Sequence, residues 1–130
     1  MRSTTKRGMM PTSVNISPEA QKDVKHLKRK YPAVTSQIRK LIDQLESDER
    51  PGDKIPGVGH DVYKVRLPNP SAQRGKSGGF RVIYYVQVAD NLFLLKVYSK
   101  TEQSDISIEE IQRIVAELLP PTDDESDDTP

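Results

Sequence analysis

Three runs of β-branched and aromatic residues, close together in the chain, constrain the fold most. They are Val62-Tyr63-Lys64-Val65-Arg66-Leu67, Phe80-Arg81-Val82-Ile83-Tyr84-Tyr85-Val86 and Leu92-Phe93-Leu94-Leu95-Lys96-Val97-Tyr98-Ser99-Lys100. Gly, Pro, Asn and Asp bound them, and such runs predict consecutive strands of an antiparallel sheet. Alternate residues of a strand share a face. Tyr63, Val65 and Leu67 therefore lie on one side of the first strand, with Lys64 and Arg66 on the other. On the last strand, alternation puts Phe93, Leu95 and Val97 on one side. The other carries Lys96, Tyr98 and Lys100 after Leu92 and Leu94. The middle run is apolar on both sides apart from Arg81, which fits a central strand.

Register then decides where the cations meet. If Leu67 and Phe80 close the loop 68–79, Arg66 lies opposite Arg81. A second turn centred on Ala89-Asp90 sets Arg81 opposite Tyr98; one centred on Asp90-Asn91 sets it opposite Lys100. In each case basic side chains gather at one end of one face. Like charges directly opposite across strands are destabilising, so such a cluster either binds an anion or is an ordinary solvated face.

The totals point the same way. At 130 residues the chain predicts one domain. It has no cysteine for disulfides or thiolate chemistry, and its two histidines are isolated, which argues against a structural zinc site. No run is apolar enough to span a membrane, and the N-terminus has no secretory apolar core, so the expected location is cytoplasmic and no membrane partner is expected. The net charge of +1 hides an asymmetry. Residues 120–130 carry five acids and no base, which leaves residues 1–119 at +6. Between His60 and Lys100 there are seven bases against two acids. Positive charge concentrated on a sheet favours a polyanionic partner.

Residues 1–11 hold three bases and no apolar period, and are expected to be a disordered leader. Val14 and Ile16 alternate with polar residues, which predicts a short first strand at a sheet edge. Ser17-Pro18-Glu19 starts a helix: Ser can cap, Pro suits the first helical position and Glu favours the positive end of the dipole. Ala20, Val24 and Leu27 follow at helical spacing, and Tyr31-Pro32 interrupts the run. A second helix has Val34, Ile38, Leu41, Ile42 and Leu45 on one stripe, completing a helical hairpin whose Lys- and Arg-rich polar face reads first as a solvated surface.

The segment 50–59, with three glycines and two prolines, is expected to be a loop, and His60 after it to be structural. The loop 68–79 contains Arg74-Gly75-Lys76-Ser77-Gly78-Gly79. It is not a Walker A loop, because Pro70 stands where the first Gly is needed and a strand follows. Arg74 and Lys76 remain as two cations on a Gly-rich loop able to clamp a backbone phosphate. Ser107-Ile108-Glu109-Glu110 has capping-box spacing, and Ile111, Ile114, Val115 and Leu118 line a last helix before Pro120-Pro121. The acidic tail, residues 120–130, is expected to be disordered and to add little to folding.

The order strand, helical hairpin, three strands, helix resembles the RelE/ParE superfamily of bacterial toxins, with the greatest likeness to HigB-like RelE members. The segments that carry the resemblance are Tyr63-Lys64-Val65-Arg66-Leu67, Gly75-Lys76-Ser77-Gly78-Gly79-Phe80-Arg81-Val82-Ile83-Tyr84-Tyr85 and Val97-Tyr98-Ser99-Lys100-Thr101-Glu102. The resemblance covers residues 12–119, which are taken as a RelE-like toxin domain. It implies an α+β fold, a helical hairpin packed on a small antiparallel sheet with a C-terminal helix. It also implies a toxin paired with a cognate antitoxin, held in a toxin–antitoxin complex that can be of higher order. RelE-type members cut mRNA in the ribosomal decoding site and so inhibit translation; ParE-type members inhibit DNA gyrase without nuclease chemistry.

By resemblance, Lys64 and Arg66 match the two basic strand positions of RelE toxins. Arg81 matches the Gly-aromatic-Arg position, and the basic residue after the last strand falls at Lys100 or, one later, at Thr101. The tyrosine that some RelE toxins carry at the start of the last helix is missing; Ser107 stands near its place, and Tyr98 is the substitute candidate.

RNA cleavage by internal attack needs a base for the 2′-OH, stabilisation of a phosphorane and a proton for the leaving oxygen. Like charges beside Lys64 favour its neutral form, which suits a base; Arg in its place is then expected to fail, keeping charge but not giving up a proton. Arg81 would hold the phosphorane with Arg66 behind it. Lys100 or a ribosomal group would supply the proton, and Tyr98 would stack on a base. No cofactor or metal is expected. The alternatives are a ParE-like gyrase inhibitor and an inactive homologue that binds RNA or antitoxin. Ile83, Tyr85, Leu92 and Leu94 are expected to share the cationic face and to be covered partly by the last helix and partly by an antitoxin segment.

Overall fold

A computed structural model of the chain describes residues 12–68, 79–100 and 105–118. The expected leader 1–11 and acidic tail 120–130 lie outside the described residues. The described elements are β1 (Ser13–Ile16), α1 (Pro18–Lys30), α2 (Val34–Glu46), β2 (Asp53–Lys54), β3 (Val62–Leu67), β4 (Phe80–Val88), β5 (Asn91–Ser99) and α3 (Ile108–Leu118). The strands form one sheet in the order β1-β5-β4-β3-β2, with β4 at its centre. The fold is α+β, with the α1–α2 hairpin on one face of the sheet and α3 on the other.

The sheet is mixed rather than purely antiparallel, because β1 lies parallel to β5. The helical hairpin separates β1 from the rest of the sheet, and a crossover of that length permits a parallel neighbour. The chain turns directly from β1 into α1: the Ser17 N–H bonds the Leu94 carbonyl at 3.0 Å, and the Ser17 hydroxyl caps the helix by accepting from the Ala20 N–H at 3.0 Å. At the far end of α1 the Tyr31 N–H closes on the Leu27 carbonyl, and Pro32 separates the two helices. Lys25, Lys28 and Arg39 rim a groove between the two helices floored by Val24, Ile38 and Ile42.

Leu67 does pair with Phe80, and Arg66 with Arg81. The second turn centres on Ala89-Asp90, and Arg81 lies opposite Tyr98. Two irregularities interrupt this ladder. Gln87 on β4 and Leu95 on β5 each stand as an extra residue, and the two shifts cancel before Arg81 is reached.

The bulge at Leu95 corrects the alternation expected for β5. Leu92, Leu94 and Val97 face the helical hairpin, whereas Leu95 and Tyr98 face α3, with Phe93 half-buried beside them. A bulge breaks the period of two that alternation relies on. Leu92 and Leu94 are therefore fully buried under the hairpin and need no antitoxin to cover them. Ile83 and Tyr85 do lie on the α3 face, packed with Ile111, Ile114 and Val115.

The segment expected to be a loop contains β2, a two-residue edge strand pairing Asp53 with Lys64 and Lys54 with Tyr63. Gly52 before it has φ of 90°, and a Cβ there would run into the Lys64 carbonyl. Only glycine takes both the left-handed backbone and the close approach. His60 packs edge-on against Tyr85 at 5.5 Å. No helix among the described residues is long and apolar enough to cross a membrane.

Beyond the end of β1, α1 covers the exposed edge of β5 with a carboxylate. Asp23 Oδ2 accepts from the Val97 N–H at 2.9 Å, and Lys96 Nζ reaches both Asp23 Oδ1 and Glu19 Oε2 at 3.2 Å. Burial pushes the Asp23 carboxyl above its usual range, with the Val97 N–H and Lys96 pulling back. Burial also works against the Lys96 ammonium, but Asp23 and Glu19 outweigh it and hold its pKa above the usual value. We take the pair as charged, since both Asp23 oxygens accept hydrogen bonds. Asp23→Ala strips an acceptor from a backbone N–H and from a nearly buried ammonium, and is expected to destabilise by about 2 kcal/mol or more. Glu19 is more exposed, and Glu19→Ala is expected to cost less than about 1 kcal/mol. Urea denaturation of the two variants checks the order.

Candidate active site

The basic side chains come from three neighbouring strands at one end of the α3 face. Alternation along β3 puts Lys64 and Arg66 on this face, while Val65 and Leu67 anchor the strand in the hairpin-side core. The register brings Arg81, on the central strand, between Arg66 and Tyr98. Lys100, one residue past β5, donates its N–H to the Gly79 carbonyl at 3.2 Å, which holds it at the same end of the sheet. Gly79 leaves room for its neighbour: a Cβ there would stand 3.0 Å from the Leu67 carbonyl and 3.6 Å from Arg66 Cγ.

These cations differ in exposure. Arg66 and Lys100 are exposed, and Lys64 is 38% exposed. Arg81 is 8% exposed, and its Nη1 is buried with no hydrogen-bond partner among the described residues. A buried donor left without an acceptor is costly. Facing another guanidinium across the ladder adds repulsion.

Tyr98 stands with its ring packed in the α3-side core, 4% exposed. What it presents to the site is a hydroxyl rather than a ring face, so base stacking does not suit it. Burial pushes its hydroxyl up to about 12, helped by the Asp105 carboxylate and opposed by Arg81.

Asp105 is the residue that sequence reasoning missed. Its Oδ1 accepts from Lys64 Nζ at 3.4 Å, from the Tyr98 hydroxyl at 3.4 Å and from the Ile106 N–H at 2.9 Å. The Ile106 N–H bond holds this carboxyl below the usual carboxylate range, burial works the other way, and the Lys64 charge and the Lys64 and Tyr98 hydrogen bonds add to the lowering. Lys64 is therefore not surrounded by like charge alone, as the sequence suggested. Asp105 lies just ahead of Ser107, whose hydroxyl caps α3 by accepting from the Glu110 N–H at 3.1 Å. An acid next to a capping serine is a common helix-start pattern, and nothing in its spacing tells that it folds back onto β3.

Arg74, Lys76 and Thr101 lie outside the described residues. Among the described residues no group of His, Asp and Glu is placed to hold a metal ion.

Comparison with known proteins agrees with the fold. The family model for the RelE toxin of the RelE/RelB toxin–antitoxin system matches residues 20–118. Among solved structures, an arginine double mutant of the Escherichia coli toxin RelE in the free state is similar at a TM-score of 0.52 and 21% identity, over 85% of this chain and 100% of that one. At that identity the likeness speaks for the fold, and the family model for membership. The chain belongs to the RelE toxin family, the toxins of toxin–antitoxin pairs.

Proposed function

We propose that the chain is a ribosome-dependent mRNA endoribonuclease of the cytoplasm, which stops translation and is restrained by a cognate antitoxin. One observation carries the reading: Arg81 Nη1, a buried cationic donor with no partner among the described residues, one strand away from the exposed Arg66. A phosphate oxygen would satisfy that donor once the Arg81 side chain turns outward to meet it, and guanidinium groups match phosphate geometry. In this reading Arg81 and Arg66 hold the phosphorane as charge develops on it. Lys64 stands at the reacting end, and Lys100 supplies the proton to the leaving oxygen. Arg74 and Lys76 keep the role the sequence gives them, contacts to the RNA backbone, and no cofactor is required.

The reading separates from gyrase inhibition by induction in bacteria. Induced cells are expected to show mRNA cut within translated regions and unchanged plasmid supercoiling. Co-expression of the antitoxin is expected to restore growth. Altered supercoiling with intact mRNA would move the chain to the ParE-like mode. Loss of neither would make it an inactive homologue that binds RNA or antitoxin.

A further inference from the structure

We infer that Asp105 is the proton acceptor of this site and that Lys64 serves it as a charged partner, in place of the base role the sequence suggests for Lys64. The inference rests on the nuclease reading above and deepens it. The two side-chain contacts at Asp105 Oδ1 come from opposite flanks: Lys64 from β3 and Tyr98 from β5. Since β4 lies between those strands, the carboxylate is held over β4, between the level of Ile83, which pairs with Lys64, and that of Arg81, which pairs with Tyr98. Among the described residues it is the one carboxylate that an ion pair or hydrogen bond brings to these side chains.

The chemistry favours this division of labour. An ammonium held against a carboxylate has no lone pair with which to take a proton. A carboxylate ionised at neutral pH has one; the hydrogen bonds and the Lys64 charge that hold Asp105 below the usual carboxylate range keep it ionised but weaken it as a base. Its side chain is 64% exposed, so a ribose hydroxyl can reach it. Its placement is nonetheless fixed, by its own Ile106 N–H bond and by α3 packing through Ile111, Ile114 and Val115. Among the described residues, the groups that contact it are the Lys64 ammonium of β3 and the neutral Tyr98 hydroxyl of β5, with the Arg81 charge of β4 beside Tyr98.

The step balances without an oxidant or metal. The 2′-O–H bond breaks and its proton passes to Asp105. The 2′-oxygen bonds to phosphorus, the bond from phosphorus to the 5′-oxygen breaks, and the leaving oxygen takes a proton from Lys100, which water restores. The products are a 2′,3′-cyclic phosphate and a 5′-hydroxyl.

The test is single-turnover cleavage of ribosome-bound mRNA by purified Asp105→Asn, Lys64→Arg and Arg81→Ala, with ribosome binding and circular dichroism as controls. Asp105→Asn keeps an oxygen for the Ile106 N–H and is expected to stay folded and to bind ribosomes as well as the parent. It is expected to lose cleavage by about a hundredfold or more. The fall in rate on acidification, as Asp105 protonates in the parent, is expected to vanish in this variant. Lys64→Arg is expected to stay within about tenfold of the parent, because it keeps the charge that pairs with Asp105. Parental rates in Asp105→Asn, with Arg81→Ala inactive, would overturn the inference and leave the nuclease reading standing. So would an inactive Lys64→Arg beside an active Asp105→Asn. Parental rates in both Asp105→Asn and Arg81→Ala would overturn the nuclease reading itself.

Discussion

Arg81→Ala is expected to lower ribosome-dependent cleavage by about a hundred- to a thousandfold, because an oriented donor on a developing oxyanion is worth about 2.7–4 kcal/mol. The same substitution is expected to leave the fold in place. Arg81 Nη1 makes no hydrogen bond among the described residues, and Arg66 faces it directly. Removing the guanidinium therefore relieves repulsion and an unsatisfied donor, which offsets the lost packing of a side chain that is 8% exposed. Arg81→Met, which keeps that packing, is expected to melt at or above the parental temperature. Both variants together separate function from stability: cleavage falls in each, while melting does not fall in Arg81→Met. Cleavage within a few-fold of the parent in both would remove Arg81 from the site.

Phe80→Ala is expected to show the opposite pattern, a loss of stability of about 3–5 kcal/mol. Phe80 is fully buried, pairs with Leu67 and Ser99 on its two neighbours, and meets the Tyr31 ring edge-on at 5.8 Å. It therefore ties the end of α1 to the centre of the sheet, directly beside Arg81. An aromatic of this kind contributes both its buried area and a favourable ring geometry. Phe80→Leu is expected to lose about half as much, since it refills most of the space. Urea denaturation measures both. A loss under about 1 kcal/mol for Phe80→Ala would mean that the hairpin does not depend on this contact.

Much of this architecture was legible in the sequence because its signals were local. Ser17-Pro18 and Ser107 do cap their helices, and the period of Val34, Ile38, Leu41 and Leu45 does mark the buried stripe of α2. The facing of Arg66 and Arg81 followed from alternation together with one closed loop. What was not legible depended on events that leave no local trace. The bulge at Leu95 moved Leu92 and Leu94 to the hairpin face, and a bulge is a departure from periodicity rather than a pattern of its own. The parallel pairing of β1 depends on where the hairpin sends the chain, not on Val14 and Ile16. Asp105 stayed hidden because it is forty-one residues from Lys64 in the chain and belongs, by its neighbours, to a helix start. Tyr98 was placed at the cluster, as expected, but the packing of α3 buried its ring and left only its hydroxyl to act.

The central claim is chemical, and one measurement meets it directly. Purified wild-type protein is incubated with mRNA alone and with mRNA on programmed ribosomes, and the new RNA ends are mapped and their phosphates identified. The account predicts cuts only on the ribosome, within the codon in the decoding site, leaving 2′,3′-cyclic phosphate and 5′-hydroxyl ends. Intact mRNA on the ribosome, from protein that is folded and still blocks gyrase supercoiling, would contradict it.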